Sequence, residues 1–169
     1  MRHSLLVLLL ALAFTCLSQE SSSPNAISLR ASVAKTDYFT GIEWVHSWSN
    51  QFVLGQFDFG YSRTILQGCF FPRVGIGYGL KLIDFKAFHL APIATTSLSM
   101  LSTISTNERP DFWSETYLGY RLVFGNTWAF VQSSSCGLFR EMTYSTISGK
   151  YSGVTSFGFY GSIGVQYAW

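Results

Sequence analysis

The sequence predicts an all-β chain, an eight-stranded antiparallel up-and-down barrel that crosses a membrane, and three observations predict it. Side-chain character alternates with period two through most of the chain, with Gly, Asn and Asp at the breaks and no 3.6-residue pattern of useful length. The connections between runs alternate between short and long, as in transmembrane barrels. Asp, Glu, Lys and Arg make up only 12% of the 169 residues, against 48% hydrophobic and 17% aromatic, which is about half the roughly 25% charge of a soluble domain. A single domain of this size has a large surface for its volume, so a shortage of charge leaves that surface to lipid or to a partner. The same composition excludes disorder. A net charge of +2 supplies no basic stripe, so nucleic acid is not an expected partner.

The eight runs are 27–35, 41–48, 51–63, 70–81, 85–98, 112–124, 127–141 and 153–169. The third sets Val53, Phe57, Phe59 and Tyr61 against Gln56, Asp58 and Ser62. In the fourth, Val74, Ile76, Tyr78 and Leu80 alternate with Arg73, Gly75, Gly77 and Gly79. The fifth contains Pro92, which removes a ladder hydrogen bond mid-strand and predicts either a bulge or a lateral gap. The sixth sets Thr116, Leu118, Tyr120, Leu122 and Phe124 against Glu115, Gly119 and Arg121. The seventh, with Gln132, Ser133, Ser134, Ser135 and Cys136, has no clean apolar face on either parity; a bulge or a partner protein on that face explains it equally. The last alternates from Ser156 to Trp169 without a break. Tight connections fall at 49–50, 82–84 and 125–126, and longer ones at 36–40, 64–69, 99–111 and 142–152. Both chain ends then lie on the side of the tight turns.

Residues 1–18 read as a signal peptide. Arg2 and His3 precede an apolar run at 5–14, too short to span a bilayer, and Cys16 and Ser18 are small residues at −3 and −1 of a cleavage after Ser18. An uncleaved anchor and a lipidated Cys16 are the alternatives. Residues 19–169 form the barrel domain. Cys69 and Cys136 fall on runs far apart around the barrel, so they read as two free small hydrophobes rather than a disulfide. No CxxC, HExxH or His-rich cluster is present, and neither a metal site nor a cofactor is expected.

Face composition separates a membrane barrel from the alternative, a soluble sandwich or ligand-binding barrel. A water-facing surface of Gly75, Gly77, Gly79, Gly158, Ser162 and Gly164 would be poor in charge, whereas a narrow eight-stranded interior needs small residues beside a few long ones. Trp44, Trp48, Trp113, Trp128 and Trp169 fall near strand ends, where an interfacial girdle is expected. By parity Arg30, Glu43, Asp58, Arg73, Glu115 and Arg121 point inward. These three positive and three negative charges are expected to neutralise one another and crosslink the lumen rather than line a water channel.

The chain's end carries Ser162, Gly164, Tyr167 and Trp169 in the pattern polar, any, Gly, any, any, aromatic, any, aromatic. This resembles the C-terminal assembly signal of bacterial outer-membrane barrels. Over nearly all of its mature length the chain resembles small eight-stranded outer-membrane proteins of the OmpX/OmpA transmembrane type, without the peptidoglycan-binding domain that follows the barrel in the latter. The resemblance implies recognition of the last strand by the barrel-assembly machinery, periplasmic short turns, and contact with outer-membrane lipid and lipopolysaccharide. Some barrels of this size are lipid A enzymes. The segment 43–50 has a His-Ser-x-Ser-Asn order that does not match the deacylase's His-x-Ser-Asn spacing, and both His46 and His89 lie near tight turns, out of reach of outer-leaflet lipid. The expectation is therefore a non-enzymatic barrel with a structural or interaction role, adhesin-like or in envelope maintenance. Its contacts would be made through outer loops bearing Asp37, Tyr38, Arg63, Glu108, Arg109, Asp111, Glu141, Tyr144, Lys150 and Tyr151, with an extracellular or envelope protein as partner. The alternatives are a lipid A-modifying or lipid-binding barrel and a narrow channel for small solutes.

Overall fold

Valine, isoleucine, tyrosine, phenylalanine and tryptophan fill one side of nearly every run, and a β-strand is the conformation that sends alternate side chains to opposite faces. The computed structural model describes residues 24–34, 37–62, 69–85, 87–101 and 111–169. The expected signal peptide at 1–18, Arg63, Glu108 and Arg109 lie outside them. The strands are β1 (Asn25–Ala34), β2 (Asp37–Trp48), β3 (Gln51–Ser62), β4 (Cys69–Leu80), β5 (Ile83–Phe85), β6 (Phe88–Leu101), β7 (Asp111–Gly125), β8 (Trp128–Ser145) and β9 (Lys150–Ala168), with no helix among the described residues.

All pairings are antiparallel between neighbours. The order runs β4-β3-β2-β1-β9-β8-β7-β6, and β4 pairs again with β6 to close the sheet on itself. Eight long strands thus form a closed barrel. The start of β1 and the end of β9 lie together beside the tight turns, where the Trp169 amide donates to the Asn25 carbonyl. At the β2–β3 turn Ser49 takes a left-handed φ of 50°, a conformation that the two-residue connection imposes.

Pro92 marks a bulge. Gly79 pairs with Ile93 and Ile83 with Leu90, so residues 80–82 stand opposite only Ala91 and Pro92. Leu90 accepts from the Leu82 amide, and alternation turns the Pro92 nitrogen toward the same neighbour, where its missing N–H meets the irregular stretch. This moves the tight turn expected at 82–84 to 86–87, and 83–85 continue the fourth stave. Two loop expectations also change. The β1–β2 connection is only 35–36, because Asp37 already pairs with Ala34, and the long connection at 142–152 is mostly strand, since β8 and β9 pair up to Ser145 and Lys150.

The register of β8 is uninterrupted against both neighbours, so the seventh run contains no bulge. Ala129, Val131, Ser133, Ser135 and Phe139 are buried, and Phe130, Cys136 and Leu138 are exposed. Around the barrel the outer wall is apolar: Leu29, Ile76, Leu118 and Phe159 are each 66–70% exposed, while the buried face carries the charges. Such a wall has its low-energy environment in hydrocarbon. Ile76→Arg in the wall should therefore destabilise the folded barrel in lipid vesicles by about 2–4 kcal/mol, and Val154→Arg, on the projecting part of β9, by no more than about 0.5 kcal/mol. Guanidinium unfolding followed by Trp fluorescence measures both, and equal tolerance at the two sites would refute a lipid-facing wall.

Candidate functional site: the sealed lumen

Six of the inward charges form one ladder of alternating sign, and Asp37, expected in an outer loop, is a seventh, buried at the start of β2 on the same face as Glu43. Arg121 Nη1 donates to Glu43 Oε1, and Arg30 Nη1 lies 3.4 Å from Glu43 Oε2. Arg30 also makes a two-pronged contact with Asp58, Nη2 to Oδ2 at 2.5 Å and Nε to Oδ1 at 3.1 Å. From the other side Arg73 donates to the same Asp58 Oδ2 through Nε at 3.0 Å and Nη2 at 2.8 Å, and its Nη1 reaches Glu115 Oε2 at 3.1 Å. All six residues are buried. Neutral groups satisfy the remaining valences. Ser28 and Gln56 donate to Glu43, Ser97 donates to Glu115, and Gln166 accepts from Arg121.

Register explains how short side chains meet across the lumen. Arg30, Gly41, Asp58 and Arg73 lie in one row across β1, β2, β3 and β4. Gly41 is the gap in that row: a Cβ there would lie against Asp58, 2.6 Å from its Cα, so Arg30 can lean over β2 to reach a carboxylate two strands away. On its other side Arg30 faces Gly164, where a Cβ would come within 3.1 Å of the arginine's own Cβ. Sequence parity identifies the charges but not these two glycines, because it reads one strand at a time.

Apolar layers close the ladder off at both ends. Toward the loop end Phe39, Phe71, Leu101, Trp113, Tyr117, Phe139 and Tyr160 pack together. The Arg73 guanidinium lies 3.7 Å from the Phe39 ring centre, and the Arg30 Nη1 donates to the Tyr160 hydroxyl at 2.7 Å. Toward the turn end Val45, Phe52, Leu54, Ala91 and Ile93 form the second layer. The gap beside Ser28, Arg30, Glu43 and Arg121 has no room for a water molecule.

Trp113 belongs to this packing and not to an interfacial girdle. It is 1% exposed, with ring centres 5.0 Å from Phe71 and 5.8 Å from Phe139, because it shares the inward parity of Glu115 and Arg121. Trp44, Trp48, Trp128 and Trp169 are exposed and cluster at the turn end, where Tyr167 stacks on Trp169 and contacts Trp128. Of the four residues at the chain's end, Ser162 and Gly164 face inward, and Tyr167 and Trp169 outward.

Both histidines of the barrel domain sit at the turn end. His46 hydrogen-bonds Asn25 at 2.9 Å and lies between Trp44 and Trp48. His89 Nδ1 is 2.5 Å from Asp84 Oδ1, although off-line for a hydrogen bond. Cys136 is a free, exposed thiol. Among the described residues no group of three or more His, Cys, Asp or Glu is arranged to hold a metal ion.

Closure of the eight long antiparallel strands agrees with the fold of a solved structure. The N-terminal β-barrel domain of Pseudomonas aeruginosa OprF superposes with a TM-score of 0.52 at 10% identity, over 86% of this chain and 96% of that one. The chain has the fold of an eight-stranded outer-membrane β-barrel. A major outer membrane protein from Thermus thermophilus aligns with a TM-score of 0.46 at 11% identity, over 86% of this chain and 99% of that one. No protein-family model and no curated protein matches the sequence.

The barrel's ladder hinges on Asp58, which bridges Arg30 and Arg73. Asp58→Ala leaves two buried guanidinium groups facing each other and should cost about 3–5 kcal/mol. Glu115→Gln should cost less, about 1–3 kcal/mol, since Arg73 keeps Asp58. Denaturant midpoints in vesicles give both values, and a harmless Asp58→Ala would show that the ladder is not a structural crosslink.

Proposed function

We propose that the chain is an exported, integral outer-membrane protein that neither conducts solute nor catalyses a reaction, and that it acts through its outward surfaces in adhesion or envelope maintenance. The observation that carries this reading is the filled lumen: among the described residues two layers of large side chains flank the ion ladder, and the gap beside Ser28, Arg30, Glu43 and Arg121 leaves no room for water. Pores become open at about 16 strands, and eight staves filled in this way suit a plug. Against a lipid A enzyme stands the position of His46 and His89 at the turn end, opposite the leaflet in which that substrate lies. Export rests on the signal peptide, and insertion on recognition of Ser162, Gly164, Tyr167 and Trp169 by the barrel-assembly machinery.

Among the described residues, the β8–β9 hairpin offers a projecting surface for contact. The β1–β9 pairing stops at Ala34 and Tyr160, whereas β8 and β9 stay paired to Ser145 and Lys150. β9 thus extends beyond its β1 partner by about 30 Å at roughly 3.3 Å per residue. The hairpin tip exposes Ile147 fully, and Arg140 and Lys150 give it basic groups suited to the phosphates of lipopolysaccharide or to an acidic partner.

Two measurements test the reading. In a Cys69→Ser, Cys136→Ser background, I147C should react with a membrane-impermeant maleimide on intact cells; reaction only after the outer membrane is opened would reverse the orientation. Reconstituted in planar bilayers, the wild-type barrel should give no stepwise current in concentrated KCl, and steady single-channel steps would favour the channel alternative.

A further inference from the structure

Besides the mutually bonded hydroxyls of Thr96 and Thr116, the described outer wall carries a polar stretch on β8 that lipid does not suit. On β8 the outward positions between Phe130 and Leu138 are Gln132, Ser134 and Cys136. Trp128 and Tyr167 lie below them near the tight turns, and Leu138 and Phe157 lie above, so the stretch sits mid-way up the apolar band. Gln132 Nε2 donates to Ser134 Oγ at 2.6 Å, and the hydroxyl of Tyr120 on β7, whose register partner is Ser134, hydrogen-bonds both residues. An amide, a hydroxyl and a phenol together hold four donors and at least as many acceptor sites, yet three groups can make at most three bonds among themselves. Acyl chains offer nothing for the remainder, and an unmet polar group at membrane depth is costly.

The stretch is also shallow. Ser134 pairs with Gly161 on β9, and a Cβ added at Gly161 would meet nothing within 4 Å. Leu118, Phe130, Leu138, Phe159 and Ile163 stand around it, all exposed. Small residues in the centre admit a close approach, polar groups bond across it, and an apolar rim completes the seal, which is how packed surfaces inside membranes are built.

We infer that this β7–β8–β9 face is the contact between two copies of the chain within the membrane, joined about a two-fold axis normal to the bilayer. Self-complementarity selects a second copy. The patch carries no charge to match a charged partner, but its amide and hydroxyls each donate and accept, so the same surface presented by a second barrel satisfies it reciprocally. Cys136, one step along the strand from Ser134 on the same face, lies near that axis in both copies.

Cys136 also makes the inference testable. A Cys69→Ser chain, with Cys136 as its only mature cysteine, is reconstituted in phospholipid vesicles at low protein-to-lipid ratio and treated with a short homobifunctional maleimide. Crosslinked dimer is expected, and Q132L or S134A should lower the association constant by about tenfold while the barrel keeps its heat-modifiable gel mobility. S134A removes only one outward hydroxyl, so it tests the contact without threatening the fold. A control chain carrying I76C, Cys69→Ser and Cys136→Ser, with its thiol on β4 across the barrel, should give no crosslinked dimer. Absence of dimer while a monofunctional maleimide labels Cys136, or equal dimer from I76C, would overturn the inference. It rests on the membrane reading: a chain that stays monomeric and soluble without detergent sinks both, whereas a heat-modifiable barrel that does not crosslink sinks only this one.

Discussion

The Asp58 carboxylate between Arg30 and Arg73 is the contact on which the interior depends. Each guanidinium buried in a narrow barrel loses its hydration, and only a carboxylate in direct contact offsets that loss. Asp58 meets this need for two arginines because the row Arg30, Gly41, Asp58, Arg73 keeps all three side chains at one level with nothing between them. Arg121 and Glu43 on one side and Glu115 on the other extend the row into a chain of equal positive and negative charge. Phe39, Phe71 and Trp113 on the loop side and Val45, Phe52 and Leu54 on the turn side flank that row. The ladder and its caps are therefore one device: the caps raise the strength of each ion pair by excluding water, and the ladder holds together strands whose inward residues are otherwise small.

The wall obeys the reciprocal rule. Glycines and serines on the inner face leave room for the buried charged side chains, and the bulk displaced from the core appears outside as leucine, isoleucine and phenylalanine. Exposed apolar side chains on this scale are not a defect of packing. They place the low-dielectric solvent outside and the polar groups inside, the inverse of a soluble domain, and closure through β4 and β6 removes the edge that such a sheet would expose to lipid.

Much of this is legible in the sequence, because period two reports which residues share a face, and composition then distinguishes the lipid face from the lumen. The strands, the closure they imply and the inward parity of Arg30, Glu43, Asp58, Arg73, Glu115 and Arg121 follow from that rule alone. It gives no cross-strand register, so Gly41 and Gly164 pass as ordinary small residues although they make the space Arg30 occupies. Trp113 is misplaced for a different reason. Tryptophan near a strand end suggests an interface, but parity with Glu115 outranks that association. Loop lengths are overestimated where polar strands continue past the membrane, as in β8 and β9, since alternation fades once both faces meet water.

β8 stands apart from the other staves in its outer face, and like β6 and β9 it supplies no charge to the ladder. Between Ala129 and Phe139 it brings only alanine, valine, serine, glycine and phenylalanine inward, while every charged rung of the ladder comes from β1, β2, β3, β4 or β7. Its outer face gives up apolar bulk for Gln132 and Ser134. A strand that neither anchors the ladder nor suits lipid would be the weakest part of a solitary barrel. Its long pairings with β7 and β9 hold its backbone, but backbone pairing is common to every stave and does not account for the choice of side chains. A polar, shallow outer face is accounted for if that face is covered, because a protein neighbour returns the hydrogen bonds that lipid withholds. The ladder, which takes no rung from β8, leaves that strand's outer surface free to be specialised for contact.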